Sequence, residues 1–294
     1  MRLLILSRNG ELYSTRSLFL AARRRNHFVR VIDHMACDIQ VGNNNHNVYY
    51  AGQELSGYDA IIPRIGHTVT KQGAAVILQF ETMGMATSLE AASLIRTRDK
   101  LTCLQILSCN GIPVPKTLQI NGYEEYKRLH YKIENFPKII KLQSGTHGLG
   151  VIKANDEESL ESMMEVFSNL KQKMLLQEFI KEASGADIRA FVVDGKVVAS
   201  MMRSAQEGEF RSNLHRGGTG QSVKLTEEER RVALRSAELM GLKVAGVDML
   251  RSSRGPLVIE VNASPGLEGI ETYTRVDVAK KVIELMERKV KGKK

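Results

Sequence analysis

Val247-Asp248-Met249-Leu250 and Val258-Ile259-Glu260-Val261-Asn262 are two apolar runs, each interrupted by an acidic or amide side chain. Short runs rich in Val and Ile read as strands, and successive side chains of a strand point to opposite faces. Glu260 and Asn262 therefore share one face, and Ile259 and Val261 are expected in the core. The link from Arg251 to Pro256, which contains Arg254-Gly255, is short enough for an antiparallel hairpin that brings Asp248 beside both. Three oxygen donors on one sheet face suit hard divalent cations that keep waters and bind phosphates, and two such ions about 3.5–4 Å apart can share one carboxylate. The alternative is a half-exposed sheet whose polar residues face water.

Upstream, Lys141 precedes a glycine-rich loop, Leu142-Gln143-Ser144-Gly145-Thr146-His147-Gly148-Leu149-Gly150, set between two strands. Backbone N–H groups of such a loop can wrap phosphate oxygens, with Lys141 adding a point charge. No Gly-Lys-Ser/Thr follows, so it is not a Walker A loop, and its GxxGxG spacing opens no helix, so it is not a dinucleotide fingerprint. A flexible hairpin has the same composition. Gln177-Glu178-Phe179-Ile180-Lys181 leads from a strand into a connection, where backbone groups could pair with an adenine edge and Asp187 could hold a ribose hydroxyl; a linker between lobes reads the same way. The stretch Met202 to Gly218 gathers Arg203, Arg211, Ser212, Asn213, His215 and Arg216 beside two glycines, a concentration suited to bidentate capture of phosphate or carboxylate.

The N-terminal third is α/β. Leu3 to Leu6, a helix through about Arg25 and Val29 to Ile32 form a βαβ unit; a strand at Ala60-Ile61-Ile62 stops at Pro63, and helical segments Ala74 to Met83 and Leu89 to Gln105 follow. The remainder is α+β. Strands at Lys138 to Leu142, Val151-Ile152 and Met174 to Gln177 surround a helix from Glu157 to Leu170. Ile188 to Val193, an Asp194-Gly195 turn, Val197 to Arg203 and a helix from Glu227 to Met240 precede the terminal strand pair. Three units are expected, at 1–95, 96–178 and 179–294.

The 294 residues carry 42 basic against 33 acidic side chains, a net charge of +9 that implies phosphate, nucleic acid or a carboxylate-rich polypeptide as partner. Met286 to Lys294 holds five basic residues against Glu287, and this tail and Arg23-Arg24-Arg25 read as solvated helix ends. No aromatic residue interleaves the tail's charges, so no direct nucleic-acid site is expected. No apolar run approaches the ~18 residues that cross a bilayer, and Met1 to Ser7 is too short for a signal peptide. A soluble cytoplasmic protein without membrane attachment is expected. Cys37, Cys103 and Cys109 form no CxxC pair, which indicates neither a disulfide framework nor a zinc cluster.

Taken in order, these motifs resemble the ATP-grasp superfamily and, within it, the RimK family of glutamate ligases. The match is carried by Pro63-Arg64-Ile65-Gly66, Arg98-Asp99-Lys100, Lys141, Gly145 to Gly150, Gln177 to Ile180, Asp187-Ile188-Arg189, Phe210 to Gly218, Ala245 to Asp248 and Glu260 to Glu271. The resemblance implies an ATP-grasp fold of α/β and α+β class with an N-terminal α/β pre-grasp domain, holding ATP and two Mg2+ or Mn2+ ions. By position it implies that Lys100, Lys141, Gly145, Thr146, Gly148 and Gly150 meet ATP phosphates. Glu178, Phe179, Ile180 and Lys181 would hold adenine, Asp187 the ribose, and Arg211, Ser212 and Asn213 the triphosphate. Asp248, Glu260 and Asn262 would bind metal, with Arg203 and Arg216 catalytic at the acyl phosphate and tetrahedral intermediate, or else on substrate carboxylates. It implies addition of L-glutamate to the C-terminal carboxylate of the sixth protein of the small ribosomal subunit. Open alternatives are another carboxylate acceptor (a coenzyme tail, a carrier protein or free glutamate) and a non-catalytic ribosome- or RNA-binding module. An exposed strand edge or helix face leaves a homo-oligomer open.

Overall fold

The computed structural model describes residues 1–43, 45–142, 150–169, 173–206, 209–212 and 217–292. β1 (Arg2–Leu6), α1 (Tyr13–Arg24) and β2 (Phe28–Ile32) form the βαβ unit, with Leu3 opposite Val29 in parallel register. An antiparallel sheet of β3 (Cys37–Gln40), β4 (Asn47–Tyr50) and β5 (Gln53–Glu54) follows; strands this short carry no readable alternation. β6 (Ala60–Pro63), α2 (Thr70–Thr82) and β7 (Ala86–Thr87) complete a parallel sheet of order β2-β1-β6-β7. Helices cover both faces, so Leu4 and Leu6 enter one core cluster while Leu3 and Ile5 enter another. The helical stretch expected over Leu89 to Gln105 is two helices, α3 (Ala91–Arg98) and α4 (Lys100–Cys109). It breaks at Asp99, whose extended backbone and carboxylate cap α4 by accepting the Thr102 N–H at 2.9 Å.

β8 (Thr117–Ile120), α5 (Tyr123–Leu129), β9 (Lys138–Leu142), β10 (Val151–Ala154), α6 (Glu157–Asn169) and β11 (Met174–Glu178) build an antiparallel sheet of order β10-β9-β11-β8 around its own core. β12 (Ala186–Val193), β13 (Lys196–Ser204), β14 (Thr219–Ser222), α7 (Glu227–Leu239), β15 (Val244–Ser252) and β16 (Gly255–Asn262) form a second antiparallel sheet of order β14-β13-β12-β15-β16. Ile188, Ala190, Val247 and Met249 line its apolar face with Val232 and Ala233 of α7, and α4 packs on β16 and α7.

The β15–β16 hairpin forms as expected, with one correction. A bulge between Asp248 and Met249 leaves Ile259 half-buried, so Val258 and Val261 supply the core contacts instead. The chain ends in α8 (Glu268–Thr274) and α9 (Val278–Lys291), and α9 packs against α1. The reading of the basic clusters as solvated holds only in part: Arg23, Arg24 and Lys291 are exposed, whereas Arg25, Arg288 and Lys289 find partners. Arg25 grips Glu287 through Nε and Nη2 at 2.8 and 2.7 Å, Arg288 reaches Asp194 at 2.9 Å, and Lys289 donates to the Thr87 carbonyl at 2.8 Å. The Arg25 and His27 contacts hold the Glu287 carboxyl down to about 2. All three cysteines are free, and no helix among the described residues is long and apolar enough to cross a membrane.

Candidate active site

One face of the β12–β16 sheet carries a row of charge. Antiparallel register sets Asp187 opposite Arg203, Arg189 opposite Asp248, and Asp248 opposite Glu260; paired residues share a face, and Asp187 and Arg189 share one by alternation. Arg203 donates through Nε at 2.6 Å and Nη2 at 2.5 Å to Asp187, and its Nη2 lies 3.0 Å from Asp248 Oδ2. Arg189 grips Asp248 bidentately at 2.7 and 2.6 Å, and the Asn262 amide donates to Asp248 Oδ2 at 3.3 Å. Burial alone would raise the Asp248 carboxyl, but Arg189 and Arg203 outweigh it and hold the group below the ordinary carboxylate range. Burial likewise opposes the Arg203 charge, and Asp248 and Asp187 overcome it, leaving the guanidinium more basic than usual. Asp248 and Arg203 therefore stabilise each other's charge.

Glu260 differs from Asp248: it is exposed and makes no ion pair among the described residues. The register places it, Asp248 and Asn262 together, and their all-oxygen donor set fits a magnesium-like ion. No group of three His, Cys, Asp or Glu suited to a metal occurs among the described residues, so a metal held here would need the Asn262 amide oxygen as its third protein ligand. Gly246 opposes Asn262, and a Cβ there would stand 2.8 Å from the Pro265 side chain, so the turn after β16 closes onto β15 only over glycine.

Two lysines lie within electrostatic reach of the acidic end of this row. Lys141 lies near the end of β9, and burial pushes its ammonium down to about 8, opposed by Glu260 and reinforced by Lys100. Lys100, the first residue of α4, reaches the Leu142 carbonyl at 3.5 Å; burial lowers it too, and Glu260 again opposes the shift. Glu260 thus acts on Lys100 and Lys141 together, which places the acidic end of β16 beside the strand that leads into the glycine loop. That loop closes where Leu142 N–H donates to the Gly150 carbonyl at 2.8 Å. Gly150 has φ +75°, and a Cβ would sit 3.0 Å from Leu142, so glycine is required on both counts. Gly145, Thr146, Gly148, Asn213 and Arg216 lie outside the described residues.

The remaining positions fall at the junction of the two antiparallel sheets. Glu178 accepts from Lys116 N–H at 2.7 Å and from Arg254 at 2.7 Å, while its own N–H donates to the Lys116 carbonyl. Its side chain is thereby committed to the fold, leaving the backbone of 179–180 for any base contact. Ile180 is buried and Lys181 exposed. Arg211 pairs with Glu209 at 2.7 Å and donates to the Val151 carbonyl at 3.3 Å, anchoring its loop to β10; Ser212 is buried beside it. Lys153, which the sequence reading passes over, stands 5.6 Å from the Phe179 ring and 5.8 Å from the Phe210 ring. Only its alternation with Val151 on a strand flanking the glycine loop signals it. Arg189 was equally discoverable from its period-two spacing to Asp187.

The profile of the RimK-like ATP-grasp domain matches residues 97–286, and that of the RimK PreATP-grasp domain matches residues 1–94. The chain belongs to the RimK-like ATP-grasp family. It is an ATP-grasp ligase. It is 52% identical over 291 residues to a probable alpha-L-glutamate ligase of Cellvibrio japonicus, covering 99% of this chain and 97% of that one. It is 49% identical over 294 residues to one of Vibrio cholerae, covering 100% and 98%. Its fold is similar to that of the ATP-grasp ligase PsnB complexed with minimal precursor, Mg and ADP, at TM-score 0.76 and 21% identity over 98% of each chain. It is also similar to D-alanine–D-alanine ligase of Bacillus anthracis complexed with ATP, at TM-score 0.68 and 18% identity, covering 99% and 98%. The ATP-grasp architecture with its N-terminal pre-grasp part, expected from the RimK-like motifs, is the architecture found.

Proposed function

We propose that this protein is an ATP-dependent, ADP-forming ligase that joins the amino group of L-glutamate to a polypeptide's C-terminal carboxylate, the acceptor being the sixth protein of the small ribosomal subunit. The naming of relatives half-identical over the full length as probable alpha-L-glutamate ligases supports the donor. The observation that carries the chemistry is the juxtaposition of signs, with Glu260, Asp248 and Asn262 in register on the sheet and Lys100 and Lys141 within electrostatic reach of Glu260. A nucleotide triphosphate with its divalent ions complements both groups. The division into lobes at 95 and 178 and the cytoplasm as site of action belong to the same proposal.

A carboxylate is a poor electrophile at neutral pH, so its oxygen attacks the γ-phosphorus, the bond to the β-phosphate oxygen breaks and ADP leaves. The glutamate amine then adds to the acyl carbon, loses a proton, and phosphate departs. No enzyme nucleophile is needed, so the protein's tasks are positioning and charge stabilisation. Lys100, Lys141 and the backbone of 145–150 hold the phosphates, with Arg211, Ser212 and Asn213 closing over them. The backbone at Phe179 and Ile180, beside Glu178 and Lys181, takes adenine. A ribose hydroxyl at Asp187 would share oxygens that already accept from Arg203. Arg203 and Arg216 stabilise the charge that develops on the acyl oxygens. Asp248, Glu260 and Asn262 would hold two Mg2+ or Mn2+ ions, which when bound neutralise phosphate charge and orient the γ-phosphoryl group. ADP release that requires glutamate and the ribosomal acceptor together tests the reading; release indifferent to either overturns it.

A further inference from the structure

Arg8 and Arg98 approach the backbone segment Arg64 to Gly66, whose own Arg64 guanidinium reaches residues 264–265, and the ligase chemistry above does not use this group. Arg64 donates through Nη2 to the carbonyls of Pro265 at 2.8 Å and Ser264 at 3.4 Å. Arg98 donates to the Ile65 carbonyl, while its Nε is buried without a hydrogen-bond partner. Arg8 Nη2 lies 3.5 Å from where a Gly66 Cβ would stand. Among the described residues no carboxylate comes within 4.0 Å of Arg8, Arg64 or Arg98. Burial and the neighbouring Arg98 charge push Arg64 down to about 10, and His67 is lowered by burial, Arg98 and Lys100. Three cations gathered with no ion pair among the described residues, Glu260 acting on Arg98 only at longer range, and one guanidinium with an unsatisfied donor there, form a receptor for an anion.

Their place in the fold points the same way. In the order β2-β1-β6-β7 the chain leaves β1 for one side and returns on the other, so the switch point lies between the carboxyl ends of β1 and β6. Ligands of open parallel sheets bind in that crevice. Ser7-Arg8 follow β1 and Arg64 to Gly66 follow β6. Arg98 stands two residues before Lys100, and Glu260 acts electrostatically on both, so the crevice lies near the acidic end of β16, where the proposed function puts the triphosphate.

We propose that Arg8, Arg64 and Arg98 bind the carboxylates of the incoming glutamate and aim its amino group at the activated acceptor. This rests on the glutamate-ligase reading. The acceptor carboxylate must meet the γ-phosphate, whose place is set by the two antiparallel sheets, which leaves the pre-grasp side for the second substrate. A free amino acid with two carboxylates needs cations that ATP does not already occupy: Arg8 and the Arg98 Nε have no hydrogen-bond partner among the described residues, and Arg64 adds its charge while holding the carbonyls of Ser264 and Pro265.

The test is steady-state kinetics of the full-length enzyme with ATP, Mg2+, acceptor peptide and varied glutamate. Arg8 is exposed and has no hydrogen-bond partner among the described residues, so Arg8→Ala leaves the fold intact. We expect Arg8→Ala and Arg98→Gln to raise the KM for glutamate about 10- to 100-fold, the scale of a lost charge-assisted hydrogen bond. The KM values for ATP and acceptor should move less than about threefold, within the scatter of a remote change. Wild-type enzyme should also reject the α-amide of glutamate, and Arg98→Gln should lose that discrimination. An unchanged KM for glutamate in both variants, or a rise for the acceptor alone, overturns the assignment. Wild-type enzyme that fails to ligate glutamate at all overturns the ligase reading instead.

Discussion

Replacing Asp248 by Asn should cost more stability than activity measurements alone would reveal. Asp248 and Asp187 balance Arg189 and Arg203, and the side chains of Asp248, Asp187 and Arg203 are 3, 6 and 6% exposed. Asp248→Asn keeps the shape but leaves two guanidinium groups sharing one carboxylate in a water-poor setting. Removing one partner of a buried charge pair typically costs about 3–5 kcal/mol, because the remaining charge is uncompensated. At roughly 2–4 °C per kcal/mol for a chain of this size class, the melting temperature should fall by about 6–20 °C. Glu260→Gln is the control: Glu260 is exposed and makes no ion pair among the described residues, so the variant should stay within about 2 °C of wild type, as surface substitutions usually do. Both variants should lose ADP formation. Differential scanning calorimetry beside an ADP assay separates the two effects. An Asp248→Asn protein that melts within about 2 °C of wild type would refute the claim that this carboxylate neutralises its arginines.

Two further outcomes follow from perturbed ionisation. Lys141 sits at about 8, and phosphate oxygens favour its ammonium form, so ATP binding near pH 8 should take up to about half a proton. Calorimetric titration in buffers of different ionisation enthalpy should show this uptake in wild type and its absence in Lys141→Arg; equal uptake in both would remove Lys141 from the phosphates. Glu287, held near 2 against an ordinary 4.5, contributes stability that is complete above 4.5 and disappears as pH falls toward 2. Glu287→Gln should therefore lower the melting temperature at neutral pH, with the gap to wild type closing in acid; a gap independent of pH would show that Arg25 and His27 do not hold this carboxylate.

Much of the site was legible because strand alternation is a strong rule. Glu260, Asn262 and Asp248 were placed on one face from spacing alone, and the hairpin's short link fixed their register. Ile259 was misplaced because a bulge adds one residue without leaving a mark on the sequence. The break at Asp99 was hidden inside an uninterrupted helical pattern, although Asp followed by a helix is a capping signal. The docking of Arg25 on Glu287 joins residues 262 positions apart, and no local pattern announces a contact of that separation. The same holds for the pairing of Arg203 with Asp187 and Asp248: the residues were named, but their mutual neutralisation needed three strands in register.

Glutamylation of the proposed ribosomal acceptor can be read by mass spectrometry after incubation with this protein, ATP, magnesium and L-glutamate. A shift by whole glutamyl residues at the acceptor's C-terminus is expected, dependent on ATP and lost in Glu260→Gln. An acceptor of unchanged mass while ADP accumulates with glutamate would contradict the proposed function.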